Sequence, residues 1–256
     1  MVKSPVYLDN RPGMDRGLAL VVQNFNANSE QLNKDCERLK DCLERIENSG
    51  FEIYEDKVHR NLTKDQLDQL CDEVSKLKFD DHYCLLVVII GPGRQGLLQC
   101  NLTESLELTT IMEKFQPQKC GSLALKPKLF IIQTMTPIPP RDPNEADAKG
   151  KMEDDEKEKM ITSTVRIPRE SDFLTYTSDT PFMLSDNGFL TSITEVLEEQ
   201  AVNWRNQGQK PVIDVPEIQS LLIQINRKFK DKYPGRKIPC TMSSLTKRMY
   251  LQRREV

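Results

Sequence analysis

The chain has 256 residues, room for one large domain with a full core or two small ones, and a single domain is expected. Its 36 basic and 39 acidic residues give a formal net charge of -3 and a pI of about 5.6, which excludes a basic field for nucleic acid or for an anionic membrane surface. Residues 1–13 lack the apolar stretch of a secretion signal, and no segment approaches the roughly 18 consecutive apolar residues of a membrane span, so a soluble, cytoplasmic protein is expected. Seven scattered cysteines without a CxxC fit reduced thiols. With only His59 and His82 available, His-dependent chemistry is restricted, and neither a metal site nor a cofactor is expected.

In chain order, Leu18 to Gln23 reads as a first buried strand, followed by a polar turn that offers Asn28 or Ser29 as a helix cap. Leu32, Cys36, Leu39, Leu43 and Ile46 then lie on one face of an amphipathic helix that ends at Gly50. A short strand is expected over Phe51 to Tyr54. Thr63 and Gln66 form a capping-box pattern ahead of a helix with Leu67, Leu70, Val74 and Leu77 on its buried face. Cys84 to Ile90 is the most apolar strand and runs directly into Gly91-Pro92-Gly93-Arg94-Gln95-Gly96. A short helix over Leu108 to Phe115 follows a polar connection.

Lys126 to Pro137 is the central strand, apolar at Leu129 to Ile132 and therefore covered on both faces, with Gln133 to Thr136 as the turn at its carboxyl end. In open α/β sheets that end is where chemistry sits. From 138 to 170 the composition turns to prolines and charges of both signs with little to bury, the mark of a mobile linker. Order is predicted to resume with a strand over Phe173 to Thr177 and a helix from about Gly188 to Trp204. A further helix, opened by Asp214 and Pro216 and closed by Pro234-Gly235, carries Ile218, Leu221, Leu222, Ile225 and Phe229; Cys240 to Leu251 is the last predicted strand.

Gly91 to Gly96 satisfies G-x-G-x-x-G, but it follows the third strand and contains Pro92, and no acidic residue ends a strand about twenty residues later as a dinucleotide site requires. The two histidines have no cysteine or carboxylate partner placed by sequence and read as structural or exposed. Cys100 is the one stray thiol near the glycine-rich loop, and free cysteine is usually an inert small hydrophobe.

Several strings resemble the caspase family of Asp-specific cysteine proteases along nearly the whole chain. RGLALVVQN is similar to the family's first strand, and DHYCLLVVIIGPGRQG aligns without a gap on its DHDC…SHGxxG segment. KPKLFIIQ leads into the place of its QACRG motif, and IPCTMSSLTKRMYL resembles its last strand. The resemblance implies a three-layer α/β caspase-like fold, with a six-stranded, mostly parallel sheet and helices on both faces. It also implies that 1–256 is a single domain, with 1–137 like a large subunit, 138–170 an intersubunit-type linker, and 171–256 like a small subunit.

Caspase chemistry needs a thiolate, an imidazole and backbone amides for an oxyanion. By the resemblance the nucleophile position holds Met135 and the base position Pro92, so the implied protein is a pseudo-protease of FLIP-like logic; Gly93 keeps the oxyanion amide and Gln133 one polar group of the substrate pocket. The pocket arginines are missing. One position falls at Ser29, and the string carrying the other is absent between Thr180-Pro181-Phe182 and Ser185-Asp186-Asn187-Gly188. The implied role is regulation of apoptosis or related signalling by heterodimerising with an active caspase, with a homodimer as the other arrangement. Cys240, Thr241, Met242, Ser243, Ser244 and Leu245 are the implied contact residues. A hydrolase with altered chemistry and a decoy cut by a caspase at Asp147 are the alternatives.

Overall fold

The structure is a computed structural model that describes residues 6–7, 16–24, 30–45, 50–94, 96–100, 104–136, 171–181, 188–206 and 217–251. The expected cap at Asn28 or Ser29, Ile46, the linker 138–170 with Asp147, and Asp214 and Pro216 lie outside these residues.

Five consecutive apolar residues, Leu18 to Val22, place β1 (Arg16–Gln23) in the sheet interior, where every side chain after the first is buried. It is followed by α1 (Glu30–Glu44), β2 (Phe51–Arg60), α2 (Lys64–Ser75), β3 (His82–Arg94), β4 (Leu97–Gln99), β5 (Ser105–Glu107) and α3 (Leu108–Glu113). Then come β6 (Lys128–Thr136), β7 (Phe173–Pro181), α4 (Gly188–Asn206), α5 (Ile218–Lys232) and β8 (Cys240–Ser243). The main sheet runs β2-β1-β3-β6-β7-β8, parallel at every junction except β7 with β8. This is the predicted α/β architecture, a six-stranded, mostly parallel sheet.

Alternation along the strands divides the core between two faces. Ala19, Val21, Leu86, Val88, Leu129, Leu174 and Tyr176 pack with the apolar stripes of α1, α4 and α5. Leu18, Leu20, Val22, Leu85, Val87, Phe130 and Ile132 pack with those of α2 and α3. The α2 cap forms as the sequence implies: Gln66 N–H donates to Thr63 Oγ1 at 3.2 Å and Thr63 N–H donates to Gln66 Oε1 at 2.9 Å. Replacing such a cap costs about 1 kcal/mol.

Several elements differ from their sequence reading. β2 is ten residues long because its pairing to β1 steps from Ala19↔Ile53 to Val21↔Val58 and leaves a charged bulge, with Glu55 and Asp56 at φ 54° and 51°. That bulge hides the strand's period. The glycine-rich segment is not a loop before a helix: β3 continues through it to Arg94 and forms an antiparallel hairpin with β4, with Gly96 at φ +79° in the turn. Gln133 to Thr136 are likewise strand rather than turn, since β7 stays paired to β6 as far as Thr136↔Pro181. The last strand is only four residues long. Leu245 N–H donates to Ser243 Oγ at 3.2 Å, which turns the chain, and only isolated bridges at Arg248 and Tyr250 follow.

One buried carboxylate ties distant parts of the chain together. Asp172, 2% exposed and at φ 73° just before β7, accepts hydrogen bonds from the Tyr7 and Thr246 hydroxyls, the latter at 2.6 Å. Its backbone N–H donates to Ser244 O at 2.9 Å, and its own carbonyl accepts from Lys128 N–H at 2.8 Å. Lys128, fully buried at the start of β6, donates its ammonium to Lys126 O at 2.8 Å and lies over the Phe173 ring at 5.0 Å. Residues 6–7 are thereby fastened to the segment after β8 and to the start of two central strands.

Candidate functional site

The carboxyl ends of β1, β3, β6 and β7 lie side by side and bring the candidate site residues into two rows. Pro92 on β3 and Met135 on β6 are direct Cα partners across the parallel pair, and Met135 faces Thr180 of β7 on its other side. Two residues back, Gln133 lies between Ile90 and Ser178, and Ile90 is in turn the partner of Gln23 on β1, which pairs with Arg60 on β2. The sheet register therefore joins positions 43 residues apart in sequence into one local arrangement.

The chemistry available at these positions is limited. Met135 is 9% exposed and belongs to the core cluster shared with α1, α4 and α5, so its thioether acts as an apolar filler at the strand end. Pro92 is half-buried and has neither a donor nor a lone pair on its ring. Gly93 is enclosed by the hairpin: a Cβ there would lie 2.1 Å from Leu97 O. That close approach is sufficient reason for glycine. Gln133 is 2% exposed, and Thr134 beside it donates its hydroxyl to Asp179 across β6 and β7.

On the polar row Arg60 is the only cation among the described residues. Its guanidinium donates to Gln23 Oε1 at 3.1 Å and pairs with Glu37 of α1, while Gln23 Nε2 donates to Asn33 Oδ1 at 2.6 Å. Ser29 and the stretch 182–187, where the pocket arginines are implied, lie outside the described residues, and neither 25–29 nor 182–187 contains Lys or Arg. Asn24, at the end of β1, is 2% exposed with both its amide atoms unpartnered, and closely abuts Gly91.

The remaining candidates are dispersed. Cys100 is 5% exposed, its Sγ donates to Leu98 O at 3.9 Å, and burial together with the nearby Glu104 pushes its thiol up. That is the opposite of what a nucleophile needs. None of the seven cysteines is in a disulfide. His59, buried and stacked on Tyr54 with centroids 5.9 Å apart, is held below its ordinary 6.5 by burial and then by Lys57; His82 Nε2 lies 3.1 Å from Glu52 Oε2. Neither belongs to a metal-holding group among the described residues. The glycine-rich segment runs into β4 rather than a helix, so it lacks the strand–loop–helix order of a dinucleotide-binding turn. No described helix is long and apolar enough to cross a membrane.

The implied contact strand sits at the opposite side of β7 from the Met135 row. Cys240, Thr241, Met242 and Ser243 pair with Thr177, Tyr176, Thr175 and Leu174, and the other edge of β8 has no strand against it among the described residues. Ser244 and Leu245 lie beyond the strand's end; Met242 and Leu245 are partly buried against the two core clusters. The sequence reading missed the Asp172, Tyr7 and Lys128 cluster, since an acid next to an exposed serine and a lysine at a strand start carry no mark of burial.

The chain matches the family described as "Caspase domain" over residues 16–250. It is 26% identical over 267 residues to caspase-3 of Oryctolagus cuniculus, covering 95% of this chain and 88% of that protein. To caspase-3 of Bos taurus it is 28% identical over 213 residues, covering 77% of this chain and 70% of the relative. Among solved structures, pro-sf-caspase-1 superposes with a TM-score of 0.69 at 22% identity, covering 100% of this chain and 96% of that one, a likeness in fold.

Proposed function

Because the chain belongs to the caspase-domain family, we propose that it is a non-catalytic member that acts by pairing its last strand with an active caspase and so regulates apoptosis or related signalling in the cytoplasm. On this reading 1–137 and 171–256 correspond to the two caspase subunits and 138–170 to the linker between them. The observation that carries the reading is the adjacency of Pro92 and Met135, direct partners on β3 and β6. The family's chemistry needs a proton acceptor and a nucleophile at those two positions, and neither side chain has a proton to exchange or an anion to form.

The pairing half of the reading is supported by the contrast between the two sheet edges. β2 carries the charged bulge Glu55-Asp56-Lys57, a common device for preventing edge-to-edge contact. β8 is uncharged over Cys240 to Ser243 and pairs with β7 without a register shift, so its other edge has no bulge to block a further strand. Pairing there can order a partner's loops without chemistry in this chain.

The enzyme reading is tested with electrophilic peptide probes carrying Asp, scored by intact mass. No saturable labelling is expected on any cysteine, Cys100 included, because its thiol is buried and raised. Saturable labelling that disappears in Cys100→Ser would overturn the non-catalytic reading in favour of altered hydrolase chemistry.

A further inference from the structure

The uncharged edge of β8 lies between two cationic flanks. Upstream, Lys237 is exposed and Arg236 stacks its guanidinium on Tyr233 at 4.7 Å; downstream, Lys247 and Arg248 are exposed. Lys237, Lys247 and Arg248 have no ion pair among the described residues. The downstream flank is held in place, since Tyr7 N–H donates to Arg248 O at 3.1 Å and the Tyr7 ring lies 5.8 Å from Lys247 Nζ. This local excess of positive charge belongs to a chain whose formal net charge is -3.

Two copies that continue one sheet about a two-fold axis perpendicular to it join identical edges in antiparallel sense. The upstream flank of each copy then faces the downstream flank of the other. Lys237 of one chain would approach Lys247 and Arg248 of the second on both sides of the axis, and close like charges select strongly against a pairing.

We propose that the β8 edge is built for a different chain rather than a second copy: a protein whose own free edge strand is flanked at both ends by Asp or Glu. This rests on the reading that β8 is the pairing edge, and adds the chemistry of the partner. The flanks act as a selectivity filter while the uncharged centre supplies the backbone hydrogen bonds. Thr241 presents its backbone outward, because Ser244, three residues on, turns both its N–H and C=O toward the β7 side and alternate residues face opposite edges.

The test uses the full chain and, as the acidic-flanked probe, its own variant Lys237→Glu/Lys247→Glu/Arg248→Glu, with association measured by sedimentation equilibrium. Wild type and variant together are expected to form a mixed dimer about tenfold or more tighter than either forms alone at about 50 mM salt, with the advantage lost at about 500 mM. Thr241→Pro, which removes an outward N–H that β7 does not use, is expected to abolish the mixed dimer while circular dichroism stays unchanged. Equal affinities for mixed and self pairs at both salts would overturn the charge filter and leave edge pairing standing. Absence of any dimer in all mixtures, or a mixed dimer indifferent to Thr241→Pro, would instead overturn β8 as the pairing edge.

Discussion

Met135→Cys combined with Pro92→His is expected to leave the chain without efficient cleavage of Asp-containing peptides, although the two new side chains would stand on partner positions of β3 and β6. Supplying the reacting groups addresses a deficit on the order of 10⁶ in kcat, judged from a well-studied serine protease. The substrate's carboxylate would remain unmatched. The polar row that passes through Gln133 has Arg60 as its one described cation, and Arg60 is already engaged by Gln23 and Glu37. A buried carboxylate without a cation loses several kcal/mol, which corresponds to about 10³ or more in kcat/KM. The check is a fluorogenic assay of the double variant against an active caspase under the same conditions. Cleavage approaching that of the active enzyme would show that a cation pocket exists after all.

Asp172→Asn is expected to destabilise the fold by about 3 kcal/mol, seen as a fall of roughly 6–12 °C in Tm. Asparagine keeps the shape and tolerates the left-handed backbone at φ 73°, so the loss isolates the charge. The Tyr7 and Thr246 hydroxyls lose an anionic acceptor, and the buried Lys128 loses a nearby counter-charge. Tyr7→Phe alone is expected to cost about 1 kcal/mol, and the two changes together less than their sum, because they share one hydrogen bond. Burial alone would raise the Asp172 carboxyl, but hydrogen bonds from Thr246 and Tyr7, with the Lys128 cation, hold it below its ordinary 3.8. A depressed carboxyl contributes stability that is fully present above 3.8 and is lost as the pH falls through its lower folded value. The wild-type chain should therefore lose stability faster than Asp172→Asn on acidification below pH 3.8. Equal Tm values for wild type and variant at neutral pH would contradict the role given to this carboxylate.

Much of the architecture follows from runs of apolar residues that no surface element tolerates. Leu18 to Val22, Cys84 to Ile90 and Leu129 to Ile132 announce strands covered on both faces, and the α1 and α5 stripes announce the helices that cover them. The elements that escaped are those whose pattern is broken by a local device. The bulge at Glu55 and Asp56 interrupts the period of β2, and β4 and β5 are only three residues each. The end of β8 is marked by the Ser243 side chain accepting from Leu245 N–H two residues on, which hydrophobic patterning cannot register.

The candidate site divides in the same way. Met135 and Pro92 are conspicuous in sequence through the strings around them, but their side-by-side placement is a property of sheet register. The cluster on Asp172 is a product of tertiary proximity between residues as far apart as Tyr7 and Thr246, and composition gives no hint of it. The opposing characters of β2 and β8 also emerge only once strand order is known.

The most direct measurement on the non-catalytic pairing reading is analytical sedimentation of this chain mixed at micromolar concentration with an active caspase whose nucleophile has been blocked, with peptide turnover recorded on the same sample. The expected result is a 1:1 complex without turnover, abolished by Met242→Asp with Leu245→Asp, which place charge within β8 and just past its end, where both side chains are partly buried against the core. Separate monomers or homodimers in the mixture, or turnover arising from this chain, would contradict it.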